Sequence, residues 1–221
     1  VVTVVMVEFS VMRCQPLRRA LALNQSMENL VNKPPFFIFR KNLYRVSVVH
    51  KISDDLKAND CAQFEYKNML LNQSYLVYMV ALWQGYIENL ATYYFECVIY
   101  GESNPSILSV MKSKHDLTVK RFNTPSADGI NTVFNELFGI KKISDYLDVD
   151  GVGNKETKKQ LNKILNCRHE IAHTAFCKSS VLNNELLLEY RSFLLKLAVS
   201  LEEILKDKLN GSLNGIFIPR C

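Results

Sequence analysis

Between Asn68 and Tyr100 the chain carries no proline and one glycine, Gly85, while Trp83, Ile87, Leu90, Tyr94 and Cys97 recur at steps of four and three. That period gathers apolar side chains on one helical face, so the stretch predicts a single long amphipathic helix. Its most apolar part, Tyr75 to Phe95, contains Gln84, Gly85, Glu88 and Asn89, which favours a buried bundle helix over a membrane span. The stretch holds no Lys or Arg, and its only acids are Glu88 and Glu96.

Further helices follow by the same reasoning. After the break GESNPS a shorter helix is expected around Ile107 to Lys114. Thr124-Pro125 reads as an N-cap with Pro at the first helical position, opening SADGINTVFNELFG, which stops at Gly139. A loop-rich connector, LFGIKKISDYLDVDGVG, then leads to KETKKQLNKILNCRHEIAH, with Asn154 as the expected cap. The last helix is expected to begin near Ser180 to Asn184 and to stop at Asn210-Gly211. Its stripe includes Leu186, Tyr190, Leu194, Leu197, Leu201 and Leu205, with Lys196, Glu202, Glu203 and Lys206 off it. With 8 glycines, 6 prolines and 22% charged residues among 221, the composition suits a soluble helical protein. The fold class expected is all-α, an antiparallel helical bundle with a less regular N-terminal arm.

PPFFIF at 34 to 39 and YRVSVV at 44 to 49 suggest an extended arm or a short strand pair. Residues 1–55 are therefore expected to form an N-terminal extension, 56–211 the helical domain and 212–221 a tail. The opening VVTVVMVEFSVM is apolar but too short to span a bilayer and carries Glu8. The chain does not start with Met, so residues before Met27 are read as a leader, an upstream extension or an expression artefact, and carry no functional weight. Cys14, Cys61, Cys97, Cys167, Cys177 and Cys221 are scattered without C-x-x-C pairs, which fits reduced thiols in a cytoplasm. The net charge of +5 is compatible with a polyanionic partner and does not by itself decide one.

The chemistry concentrates at NCRHEIAHTA, residues 166–175, which parses in two ways. From His169 it is H-E-x-x-H, with two imidazoles one turn apart for zinc and Glu170 as a general base. Catalytic zinc needs a third protein ligand, and the extended H-x-x-G-x-x-H pattern meets Phe176 and Ser179 instead. Glu185 and Glu189 are the remaining candidates, but only eleven residues separate His173 from Glu185, including the reversing loop. From Arg168 the same string is Arg-x4-His, a pattern associated with metal-free RNA cleavage.

At about 100° per residue, Leu161, Ile164, Leu165, Ile171 and Ala172 share a helix face with Arg168 near its middle, while Lys155, Lys159, Lys163 and His173 lie opposite. A guanidinium within an apolar stripe is costly unless it is paired or lines a functional cavity. A structural ion pair with Glu88 or Glu96 is one explanation; a cleft shared with His173 is the other. Arg168 and His173 stand about 140° apart on a continuous helix, so their convergence needs a helix end, a kink or a second subunit. Thr174 and the following FCKSS suggest that the helix ends there.

INTVFNELFG, the polar connector, LNKILNCRHEIAHT and a Trp-containing upstream helix followed by YIENL together resemble the HEPN superfamily, and within it the RiboL-PSP-HEPN group, over about residues 68 to 209. In such families Asn commonly follows the Arg; here His169 keeps that position polar. The resemblance implies a homodimer formed through the motif helices and RNA cleavage with no metal or other cofactor. It implies roles in toxin–antitoxin, phage-defence or RNA-processing settings, where an antitoxin or neighbouring defence protein would be a partner. By that resemblance Arg168 and His173 are catalytic.

Physically, RNA supplies its own nucleophile in the 2′-hydroxyl. A His suits the proton transfers, and an Arg suits bidentate contact with the phosphate in the transition state. His169, Glu170 and Glu88 are supporting candidates, and Lys155, Lys158, Lys159 and Lys163 form a stripe that would collect the RNA backbone or be a solvated face. Two other function classes stay open: a non-catalytic HEPN module for nucleotide or nucleic-acid binding or dimerisation, and an HExxH zinc hydrolase.

Overall fold

The computed structural model describes residues 34–212; the opening VVTVVMVEFSVM, Met27, Cys14, Cys221 and most of the expected tail lie outside the described residues. The expectation of an all-α bundle is met, and no strand occurs among the described residues.

The first two helices correct the reading of an extended arm or strand pair. PFFIFRKNLYRV forms α1, Pro35–Val46, and α2 follows as Val48–Ala58. Phe, Ile, Tyr and Val favour strands in isolation, but that preference yields to packing on a half-buried face. Pro35 starts the helix where a missing N–H costs nothing, and Phe39 and Leu43, one turn apart, are both buried in the core.

The long helix α3 spans Phe64–Ile99. Its 36 residues reach about 54 Å at 1.5 Å per residue, and all the other helices pack against it. Tyr75, Leu76, Met79, Trp83, Ile87, Leu90 and Tyr94 are fully buried along it. Two of its buried aromatic residues find backbone partners for their polar atoms: Trp83 Nε1 donates to the Pro125 carbonyl at 3.0 Å, and Tyr86 Oη donates to that of Ala198 at 2.9 Å.

Helix α4 is Pro105–Arg121, longer than the expected Ile107–Lys114, because Asn104 caps it by accepting from the Ser106 and Ile107 amides. Helix α5 is Ala127–Phe138 and ends on Gly139 at φ 70° as expected, but its cap is Ser126, whose Oγ accepts from the Gly129 amide, rather than Thr124. One 3₁₀ turn, Ile143–Tyr146, interrupts the connector.

Helix α6, Asn154–Thr174, carries the motif. Gly153 occupies its cap position. The Asn154 side chain, expected to cap, instead donates to the carbonyls of Ser144 and Leu147, tying the helix start to the 3₁₀ turn. Helix α7 is Asn184–Ser212, and Asn183 Oδ1 accepts from the Leu186 amide at 2.9 Å. Among the described residues no helix is long and apolar enough to cross a membrane.

Candidate functional site

Helix α6 buries Thr157, Leu161, Ile164 and Cys167. Thr157 belongs there because its Oγ1 accepts the Val149 amide at 3.2 Å, which satisfies the polar atom inside the core. This stripe sits to one side of the face expected from periodicity. Leu165 and Ile171 are half-buried, while Arg168 and Ala172 are exposed. Arg168 therefore lies on the uncovered flank of the stripe rather than in a packed centre.

The structural ion pair expected for Arg168 is not formed. Glu88 accepts from Gln84 Nε2 at 3.0 Å, Glu96 is exposed, and among the described residues Arg168 has no ion pair or hydrogen bond. Glu88 thus faces Gln84, whose amide also reaches the Phe122 carbonyl at the end of α4. Within one chain it does not hold the guanidinium.

His173 lies in the last turn of α6 and is exposed, as is His169 one turn earlier; their ring centroids are 4.3 Å apart. The helix is unbroken through Thr174 and ends at Ala175 in the left-handed conformation, φ 61°. No kink turns His173 toward Arg168, so regular geometry keeps the two about 140° apart. The structure does not bring the Arg/His pair together within a single chain.

It does bring the lysines together with the first histidine. An open groove of about 590 Å³ is lined by Lys155, Lys158, Lys159 and Lys163 with His169 and Glu170. Asn162, Asn166 and Ser179 complete it. The two asparagines were missed in the sequence, although they fall in the lysines' own three-and-four register. Lys158 donates to Asp145 at 2.5 Å and Lys159 to Glu156 at 3.3 Å. Lys163 rests 6.0 Å from the Tyr190 ring centroid.

Glu170 has a structural task that its neighbours in sequence do not reveal. Its Oε2 accepts the Lys178 amide at 2.6 Å, the Ser179 amide at 2.9 Å and Ser179 Oγ at 3.1 Å. The Ser179 amide foremost, with the Lys178 amide and the Ser179 hydroxyl, holds the carboxyl below its ordinary range. Glu170 so fastens the connector after α6 back onto the motif helix. Ser179 Oγ also stands 3.5 Å from Cys167 Sγ and 3.7 Å from Cys177 Sγ. Burial, reinforced by the Cys167 thiol, pushes Cys177 up to about 11, which keeps it a thiol at neutral pH. Among the described residues, Cys61, Cys167 and Cys177 are free thiols.

For zinc, the donor set is short. Among the described residues no three His, Cys, Asp or Glu side chains gather where they could hold an ion. Glu185 and Glu189 are exposed on α7. The glutamate that would serve as general base has one oxygen engaged by three donors.

No curated protein and no solved structure matches the chain. A family profile, RiboL-PSP-HEPN, matches residues 40–207, from within α1 to the last turns of α7. With the helical bundle and the matched length in agreement, the chain belongs to the RiboL-PSP-HEPN family.

Proposed function

We propose that the protein is a metal-independent endoribonuclease whose active site forms across a homodimer, with Arg168 of one chain acting beside His173 of the other. The observation that carries this reading is Arg168 itself: an exposed guanidinium without an ion pair among the described residues, on the half-covered apolar flank of α6, in the Arg-x4-His spacing. An isologous contact of two α6 helices would cover Leu165 and Ala172 and cross the two motifs. The divergence of Arg168 and His173 on one helix is then what a two-chain site requires.

In this mechanism the lysine groove collects phosphates ahead of the motif. The ribose 2′-hydroxyl attacks the adjacent phosphorus and loses its proton to a base, while the departing 5′-oxygen gains one; His173 serves these transfers. Arg168 donates two parallel hydrogen bonds to the non-bridging oxygens as their charge rises. The products are a 2′,3′-cyclic phosphate and a 5′-hydroxyl. His169, 4.3 Å away by ring centroid, is placed to position His173. The biological setting proposed is cytoplasmic RNA restriction or processing, with an antitoxin or defence protein as regulator.

Labelled RNA incubated with the protein, with and without EDTA and beside His173→Ala, tests this. Cleavage that survives EDTA and vanishes in the variant is the expected result. Cleavage lost to chelator and restored by zinc would return H-E-x-x-H as the operative motif. If the protein neither dimerises nor cuts, the separation of Arg168 from His173 favours a non-catalytic nucleic-acid-binding module instead.

A further inference from the structure

A second cavity, of about 310 Å³, lies on the other side of the connector that Glu170 fastens. Its floor is the first turns of α3, with Glu65, Asn68, Asn72 and Gln73 at helical spacing, and its opposite wall includes Phe176 and Lys178. A volume at the low end for small-molecule sites suits a single planar heterocycle better than a large ligand.

The lining is built for a polar guest. Asn72 and Gln73 are only 2% and 6% exposed. The Gln73 side chain has no hydrogen bond among the described residues, and Asn72 Oδ1 is buried with no donor against it, although its Nδ2 donates to the Leu182 carbonyl at 3.1 Å. Leaving the buried Asn72 Oδ1 unpaired is costly, and a ligand that donates to it recovers that cost. Asn68 Oδ1 is engaged by Ser53 Oγ at 2.7 Å, so its amide hydrogens remain as donors. Glu65 adds a carboxylate acceptor.

Phe176 contributes an aromatic ring at 48% exposure, available for stacking. Lys178 is exposed, and its backbone amide, not its ammonium, is what Glu170 holds. A stacking ring, a carboxamide offering a donor beside an acceptor, an extra acceptor and a nearby cation are what an unstacked nucleobase with an exocyclic amine and a phosphate would meet. Phe176 is three residues from His173, so the two Cα atoms lie within about 11 Å along the chain. That is the reach of one or two nucleotides.

We infer that the cavity between the start of α3 and the α6–α7 connector is a nucleobase pocket that seats an unstacked adenine or similar amino-bearing base of the RNA strand, flanking the bond cut at His173. Gln73 reads the base edge and Phe176 stacks on its face. The inference rests on the ribonuclease reading for the strand's identity, while base binding itself is measurable without cleavage.

Calorimetric titration of the full chain bearing His173→Ala with adenosine 5′-monophosphate and, separately, with hexaadenylate is the test. Binding of either probe is expected to weaken at least about tenfold in the near-isosteric Gln73→Met and in Phe176→Ala, the second at an exposed site where folding is not at stake. Saturation by the mononucleotide assigns the pocket to free nucleotides as well; binding of the oligomer alone assigns it to the strand. The inference is overturned if neither probe binds, or if both variants bind as tightly as their parent. Base binding by a protein that cuts no RNA would sink the nuclease reading and leave the pocket standing.

Discussion

Glu170 holds the backbone amide of Ser179 at 2.9 Å across the end of the motif helix. Because the carboxyl is held below its ordinary 4.5, the clamp contributes fully above that value and is lost as pH falls through the lower folded-state value. Glu170→Gln should therefore melt below the parent at neutral pH, with the difference closing in acid. Melting curves by circular dichroism across that range check it, and a difference independent of pH would remove the carboxylate from the account.

His173 is exposed and outside the buried core, so its removal separates chemistry from folding. In His173→Ala, RNA cleavage should fall about 10²–10⁴-fold while the melting temperature stays at the parent's. Single-turnover cleavage at matched purity is the measurement; wild-type rates in the variant would end its assignment as the proton-transfer group.

A site shared between chains makes a prediction that a site within one chain does not. Arg168→Ala and His173→Ala, each inactive alone, should regain about a quarter of the parent activity when mixed after dissociation, since half the dimers are hybrids and each hybrid holds one intact site of two. Sedimentation of the parent should give about twice 25.4 kDa. No recovery from hybrids shown to have formed would place both groups in one chain.

Phe39 ties α1 to the centre of the bundle: it is 3% exposed, with its ring 4.9 Å from Tyr86 and 6.0 Å from Trp83 by centroid. Phe39→Ala should cost about 3–5 kcal/mol, measured by urea denaturation. A loss below about 1 kcal/mol would mean that α1 folds as a separable arm.

The long helices were legible because period alone identifies them: α3 and α7 lie where the apolar steps of three and four put them. What period cannot supply is where a face ends. Arg168 looked central to its stripe because Ala172 and Leu165 count as apolar, yet the buried line runs through Thr157 and Cys167, and Thr157 enters the core only by accepting a hydrogen bond from Val149. Glu170 was read as chemistry because its partners sit eight and nine residues downstream, in a connector without periodicity. PPFFIF was misread because residue preference for strands outweighed the Phe39–Leu43 spacing. Asn72 and Gln73 carry no signal in the sequence, since nothing in a single helix says which polar residues will be enclosed.

The chain has one tryptophan, and Trp83 is fully buried with its indole donating to the Pro125 carbonyl. Neither the lysine groove nor the carboxamide cavity includes it. Its fluorescence is therefore an internal gauge of folding that is silent to ligand: emission shifts to the red when the bundle opens and water reaches the ring. RNA added to the folded protein is expected to leave that spectrum in place, so integrity and the proposed binding can be read from one sample through separate signals.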